Sequence, residues 1–210
     1  MIVFRTDASI SLGYGHVMRC LALADAFKKL GKKSVFIFSP NGDALYKEVV
    51  RKGHEYRILT SSPLHPLGES EQADAYATLS NLSTSTKLVV VDHYQLGMDW
   101  EEVIISSDIS LLAIDDIFRS HCSQFLLDQN VIKSENFYVD NISKDCVYFF
   151  GPRYALLSES FQHLRHRVKT RSKLEKIIIF FGGTDPDNEK KKALLGVLAA
   201  NKNFKIDVVI

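Results

Sequence analysis

The amino-acid sequence predicts an α/β fold: a doubly wound, Rossmann-like parallel sheet followed by the start of a second unit of the same kind. Short β-rich runs alternate with stretches of helical periodicity, the pattern of a parallel sheet wrapped by helices. A strand, a glycine turn and a helix open the chain, and the same succession returns near residue 175.

The first unit begins with the apolar run Ile2–Arg5 and the turn Gly13-Tyr14-Gly15-His16. A helix follows whose positions Val17, Cys20, Leu21, Ala24 and Phe27 share one face until Gly31 ends it. Further strands are expected at Ser34–Phe38, Glu55–Leu59, Leu88–Asp92, Ser110–Ile114, Gln124–Leu127 and Val147–Phe149. Helices are expected at Asp43–Lys52 after an Asn41-Gly42 turn, at Gln72–Leu82 after a Pro/Gly/Ser-rich loop, and at Asp99–Ser106. These elements fill a domain over residues 1–152. The polar, basic stretch from Ser158 onward makes 153–174 a connecting helix or linker. Residues 175–210 then hold the strand Lys176–Phe181, the turn Gly182-Gly183-Thr184-Asp185, the helix Asn188–Ala200 and the strand Phe204–Ile210. A lone βαβ unit cannot cover both faces of its sheet, so a two-domain protein truncated at its C-terminus is expected. The open edge of the last strand would invite self-association.

At 210 residues, 46% hydrophobic and 24% charged with a net charge of +1, the composition is that of a soluble globular protein and advertises neither a nucleic-acid nor a membrane surface. No apolar run approaches the roughly 20 residues that cross a bilayer. Cys20, Cys122 and Cys146 are odd in number and lack metal-type spacing, and the N-terminus begins a strand instead of a signal segment. A reducing cytoplasm is the expected location.

Ligands of open parallel sheets sit beyond the carboxyl ends of the strands, near the point where strand order reverses. Three strand ends carry suitable groups: Asp7 and Ser9 after the first, Asp92-His93-Tyr94 after the fourth, and Asp115-Asp116 after the fifth. If these strands are neighbours, all three converge with His16 on one rim. Gly13 and Gly15 let the backbone approach a ligand closely, and the free N–H groups at the helix start favour an anion, pointing to a phosphorylated ligand. The positive helix end disfavours an imidazolium, which makes His16 a candidate neutral base. Asp7 is the carboxylate expected to orient it, with Asp92 second. The Asp115-Asp116 pair has no third ligand for a divalent cation, so capping or orientation is the expected role. His163 and His166 lie on a basic face that reads as solvated. The Gly182–Asp185 turn lacks both the P-loop and the dinucleotide fingerprint, and neither cofactor nor metal is expected.

Taken in order, FRTDAS, GYGHVMRCLALA, VVVDHY, AIDD, LLDQN, GPRYALLSESF and FFGGTDPDN run from residue 4 to residue 188. This succession resembles the UDP-sugar hydrolase family of pseudaminic acid biosynthesis and its spore-coat polysaccharide relatives. The resemblance implies a GT-B-like fold of two Rossmann domains with the substrate between them. It also implies metal-independent hydrolysis of a UDP-linked diacetamido-trideoxyhexose at the anomeric carbon, releasing UDP with inversion. His16 would be the base that activates water, and Tyr94 a residue beside the sugar. Arg5, Ser9, Gly13, Tyr14, Gly15, Arg19, Asp92, His93, Asp115, Gly182, Gly183 and Thr184 would line the substrate. The second domain would supply most of the UDP pocket, so a chain ending at residue 210 is expected to hydrolyse weakly. Two other readings stand beside this one: a GT-B glycosyltransferase with a UDP-sugar donor, and a non-catalytic sugar-nucleotide-binding fragment.

Overall fold

A computed structural model describes the chain except for residues 10–12, 41–44, 61–69, 132–137, 139–140, 183–184, 186, 201–202 and 210. The strands are β1 (Ile2–Thr6), β2 (Ser34–Phe38), β3 (Glu55–Ile58), β4 (Leu88–Asp92), β5 (Ser110–Ile114), β6 (Phe125–Asp128) and β7 (Val147–Phe150). They form one parallel sheet in the order β3-β2-β1-β4-β5-β6-β7. Order reverses between β1 and β4, whose register pairs Ile2 with Leu88 and Thr6 with Asp92. The helices are α1 (Gly15–Lys29), α2 (Tyr46–Arg51), α3 (Glu71–Ser80) and α4 (Met98–Ile105). Ser70 caps α3, its hydroxyl accepting from the Ala73 N–H. The expected Asn41-Gly42 turn and most of the loop before α3 lie outside the described residues.

Side chains of a strand alternate between faces, and this alternation sorts the core into two layers. Ile2, Phe4, Phe36, Phe38, Val90, Leu112, Ile114 and Leu127 pack under α1 against Val17, Cys20, Leu21 and Ala24. Val3, Val35, Ile37, Val89, Val91, Leu111, Ala113 and Leu126 pack on the opposite face with Ala75 of α3 and Trp100 and Ile104 of α4.

The basic segment contains one short helix, α5 (Glu159–Arg165), and beyond Val168 runs without regular structure to β8 (Lys176–Ile179). Helix α6 (Glu189–Ala199) and β9 (Lys205–Val208) complete a βαβ unit whose strands pair in parallel, Ile177 opposite Ile206. Among the described residues β9 pairs with β8 alone. The observed elements are one to three residues shorter at some ends than sequence periodicity suggests, because the pattern of apolar positions continues past the last hydrogen-bonded turn or bridge.

Under α3 and α4 the sheet carries charge. The Arg5 guanidinium, fully buried, donates to both carboxylate oxygens of Asp74 (3.0 and 2.7 Å) and to Ser39 Oγ (2.8 Å), and its Nη1 lies 2.9 Å from Asp7. Asp74 also accepts from the Trp100 indole at 2.9 Å. Removing one partner of such a buried pair strands the other, at a cost of about 3–5 kcal/mol. Asp74→Ala should therefore lower unfolding free energy by about that amount, read in urea from the fluorescence of Trp100, the sole tryptophan.

On the same side, the Nδ1–H of His121 donates to Glu101 at 2.6 Å, and its Nε2 lies 3.7 Å from Asp115, an electrostatic contact too long for a hydrogen bond. Burial works against the imidazolium, but Asp115 and Glu101 outweigh it and push His121 up to about 9. That value exceeds the roughly 6.5 of an unfolded chain. The stabilisation is therefore complete below pH ~6.5 and lost as pH rises through about 9. The urea midpoint should fall over this window in the wild type, and His121→Gln should abolish that component of the decline.

Candidate functional site

The rim at the order reversal is built by alternation at the strand ends. Asp92, the last residue of β4, points with Val90 toward α1, as does Tyr94 two residues on. Asp116 and Gln129 continue the same face of β5 and β6, one strand over in each case. His16 and Arg19 lie three residues apart in the first turns of α1 and so share the helix side that meets these residues.

His16 Nδ1–H donates to Asp92 Oδ1 at 2.6 Å. Arg19 grips the same carboxylate with Nε on Oδ2 (2.5 Å) and Nη2 on Oδ1 (2.6 Å), while its Nη1 donates to Asp116 Oδ2 (2.7 Å). The 3.2 Å approach of Arg19 Nη2 to His16 Nδ1 follows from their sharing Oδ1, since a nitrogen that donates to Asp92 has no lone pair to accept with. The tautomer is thus set by Asp92, and Nε2 is left as the acceptor. The Tyr94 ring meets the imidazole edge-on, with centroids 4.4 Å apart and planes at 85°. Gly15, His16, Arg19, Tyr94, Asp116 and Gln129 line an open cavity of about 220 Å³. His16 is 7% exposed and Tyr94 43%, so the imidazole lies at the bottom of the cavity and the phenol at its mouth.

Burial alone would raise Asp92, but the Arg19 and His16 hydrogen bonds prevail and hold it below the usual carboxylate range. Arg19 is correspondingly raised: burial opposes its charge, and Asp92 and Asp116 more than offset that. Burial, and then the neighbouring Asp116 carboxylate, raise Tyr94, which keeps its hydroxyl protonated and available as a donor. Burial also pushes the Cys20 thiol, 3.7 Å from Asp92 Oδ2, well above its ordinary value, leaving it a packing residue.

Several sequence-predicted residues are placed elsewhere. Asp7 does not orient His16. Odd-numbered positions of β1 and their continuation face away from α1, so its carboxylate accepts from the Ser39 N–H (2.7 Å) and hydroxyl (2.6 Å) and lies 3.2 Å from His93 Nε2. The Arg5 charge and these hydrogen bonds overcome burial and hold Asp7 well below the carboxylate range. Arg5 and His93 share that side and are buried, out of reach of a ligand in the cavity. Asp115 is 1% exposed and receives the Ile117 and Arg119 N–H groups and the Arg119 side chain, so it shapes the loop after β5. Asp115 and Asp116 face opposite sides of the sheet and cannot act as a pair of ligands. Arg19 is at the cavity, yet its guanidinium is committed to two carboxylates.

Ser9 and Gly13 bridge the two ends of the loop before α1, the Gly13 N–H donating to the Ser9 carbonyl at 2.8 Å. Gly13 adopts φ +78°, a conformation glycine takes without strain, and Tyr14 precedes α1 with no side-chain cap among the described residues. Gly182 has φ +70°, whereas Gly183 and Thr184 lie outside the described residues. Sequence reasoning missed Gln129, whose Oε1 accepts the Leu156 N–H at 3.0 Å. It placed the Asp115-Asp116 pair on the rim but named Asp115, not Asp116, as the residue lining the ligand. Counting by twos from the apolar strand residues would have found both.

These features define a Rossmann-like α/β domain of the GT-B kind with a histidine–carboxylate pair at its switch point. MurG of Acinetobacter baumannii (TM-score 0.54, 9% identity) superposes over 99% of this chain and 66% of its own. A glycosyltransferase of Rickettsia africae (TM-score 0.54, 13% identity) does so over 99% and 67%. No protein-family model matches the chain. In sequence the chain is similar to the UDP-2,4-diacetamido-2,4,6-trideoxy-beta-L-altropyranose hydrolase of Campylobacter jejuni, with 27% identity over 190 residues, 89% of this chain. An uncharacterized protein of Methanocaldococcus jannaschii is 26% identical over the whole chain. The chain spans 62% and 42% of the lengths of these two relatives, respectively. No helix among the described residues is long and apolar enough to cross a membrane.

The separation of the two faces is testable without a substrate. Asp92→Asn should free the His16 ring and change its ¹⁵N tautomer signature. Asp7→Asn should leave that signature intact and lower the urea midpoint instead, by about 1–3 kcal/mol of stability.

Proposed function

We propose that the protein is a UDP-sugar hydrolase that splits a UDP-linked diacetamido-trideoxyhexose at its anomeric carbon, serving nonulosonic acid biosynthesis in the cytoplasm. The observation that carries this reading is the His16–Asp92 pair beneath an open cavity, with Nε2 as the free nitrogen. The name of the Campylobacter jejuni relative supports the substrate class. In this reading residues 1–152 carry the base, 153–174 connect, and 175–210 begin the UDP-binding domain.

Water bound against Nε2 gives up a proton to the imidazole as its oxygen bonds to the anomeric carbon. The bond to the UDP oxygen breaks on the opposite side of the ring, and the configuration inverts. Asp92 fixes the ring and stabilises the imidazolium as it forms. UDP is a good leaving group, so one base with backbone N–H donors for the diphosphate suffices, and positioned proton transfer contributes about 10²–10⁴-fold. Gly15 at the start of α1 and residues 182–184 are the proposed donors, since the Gly13 N–H is taken by the Ser9 carbonyl. Tyr94, protonated at the cavity mouth, hydrogen-bonds the sugar.

Glycosyl transfer is the second reading, favoured by the two structural neighbours, in which an acceptor hydroxyl would replace water. Incubation of the full-length gene product with the UDP-sugar in H₂¹⁸O, with and without a sugar acceptor, separates them. Hydrolysis predicts UDP release without acceptor and ¹⁸O at the anomeric position; release only with acceptor indicates transfer; unchanged substrate under both conditions indicates a binding protein. His16→Asn should reduce turnover by about 10²–10⁴-fold with UDP affinity retained. Tyr94→Phe should raise KM for the sugar nucleotide more than it lowers kcat.

A further inference from the structure

We propose that Arg19 is a positioning residue for the base: by holding both oxygens of Asp92 and anchoring itself on Asp116, it lets Asp92 orient His16 without drawing a second proton onto the ring. A carboxylate paired with an imidazole has two effects. It selects the tautomer through the Nδ1–H bond, and its charge favours the imidazolium. The first helps a base; the second removes it from service. Arg19 separates the two.

The geometry supports this division. Two of the guanidinium N–H groups meet Asp92 at 2.5 and 2.6 Å, in the bidentate arrangement that pairs most strongly. A third meets Asp116 at 2.7 Å, which fixes the fork against rotation. The guanidinium nitrogen nearest the ring is 3.2 Å from Nδ1, so its positive charge also acts on the imidazole directly. The charged and titratable groups around His16 are, among the described residues, Arg19 and Cys20 from α1, Asp92 and Tyr94 from the end of β4, and Asp116 from the end of β5. Asp7, His93 and Asp115 lie across the sheet. With Arg19 present one fixed cation offsets part of the charge of the two carboxylates; without it His16 is, among the described residues around the ring, the group left to offset them.

The spacing of His16 and Arg19, three residues apart on α1, places base and cation on one helix side, so a single strand-end carboxylate serves both. A lysine at position 19 would supply charge but not the fork. The importance of this arrangement for catalysis rests on the reading of His16 as the base, but its test needs no substrate.

The test is an NMR pH titration of His16 in the full chain, its signals assigned by their loss in His16→Gln. In the wild type the neutral ring should carry its proton on Nδ1. Arg19→Gln should raise the titration midpoint by about one pH unit, a tenfold gain in proton affinity, and Arg19→Lys should give a smaller rise. An unchanged or lowered midpoint in a folded Arg19→Gln variant would reduce Arg19 to a structural role and overturn the proposal. Should that variant not fold, the wild-type tautomer and Arg19→Lys decide: a neutral ring protonated on Nε2, or an unshifted lysine variant, overturns it equally.

Discussion

The candidate site depends on one buried carboxylate. Asp92 terminates the strand beside the order reversal and is completely enclosed. An ionised carboxylate there is tolerated only because its oxygens receive His16, two N–H groups of Arg19 and the weaker Cys20 thiol. Each of those groups comes from the first turns of α1. The same contacts that satisfy Asp92 therefore fix the helix on the sheet and hold the imidazole, by its Nδ1, at the edge of the cavity it lines. Stability and chemistry share a single set of hydrogen bonds, which is why the ring can be held rigidly on a short helix turn.

Across the sheet a second charged layer performs a different task. Arg5, Asp7, Ser39, Asp74, His93 and Trp100 tie β1, β2 and the end of β4 to α3 and α4. His121, Glu101, Asp115, Tyr138 and Asp128 do the same for β5 and β6. His93 illustrates the coupling between layers. Its Nδ1 accepts the Gln95 N–H, so Nε2 carries the proton toward Asp7. It thereby pins the backbone between Asp92 and Tyr94, whose side chains emerge on the opposite face. The rim is stiff because the residues between its members are anchored below.

Much of this was legible in the sequence. Alternating periodicities named the nine strands found among the described residues, and the glycine turn before α1 singled out His16, because both are local signals. Asp92 and Tyr94 were also named, from their place at a strand end. What went astray was the choice of Asp7 as His16's partner and the placing of Arg5, His93 and Asp115 against substrate. Proximity to a strand end says which rim a residue occupies, whereas the side chain's parity says which face. Asp92 shares parity with Val90 under α1; Asp7 shares it with Val3 under α4. Gln129 was invisible for another reason, since an amide after a strand has no distinctive spacing and enters the cavity only through β6 lying next to β5.

The central claim is that Asp92 holds His16 so that Nε2 faces the carbon where the sugar–phosphate bond breaks. A structure of the chain with UDP and the released sugar bound tests it most directly. The account predicts the anomeric oxygen within about 3.2 Å of Nε2, directly or through one water. A sugar bound elsewhere, with its anomeric carbon more than ~10 Å from the ring, would contradict it.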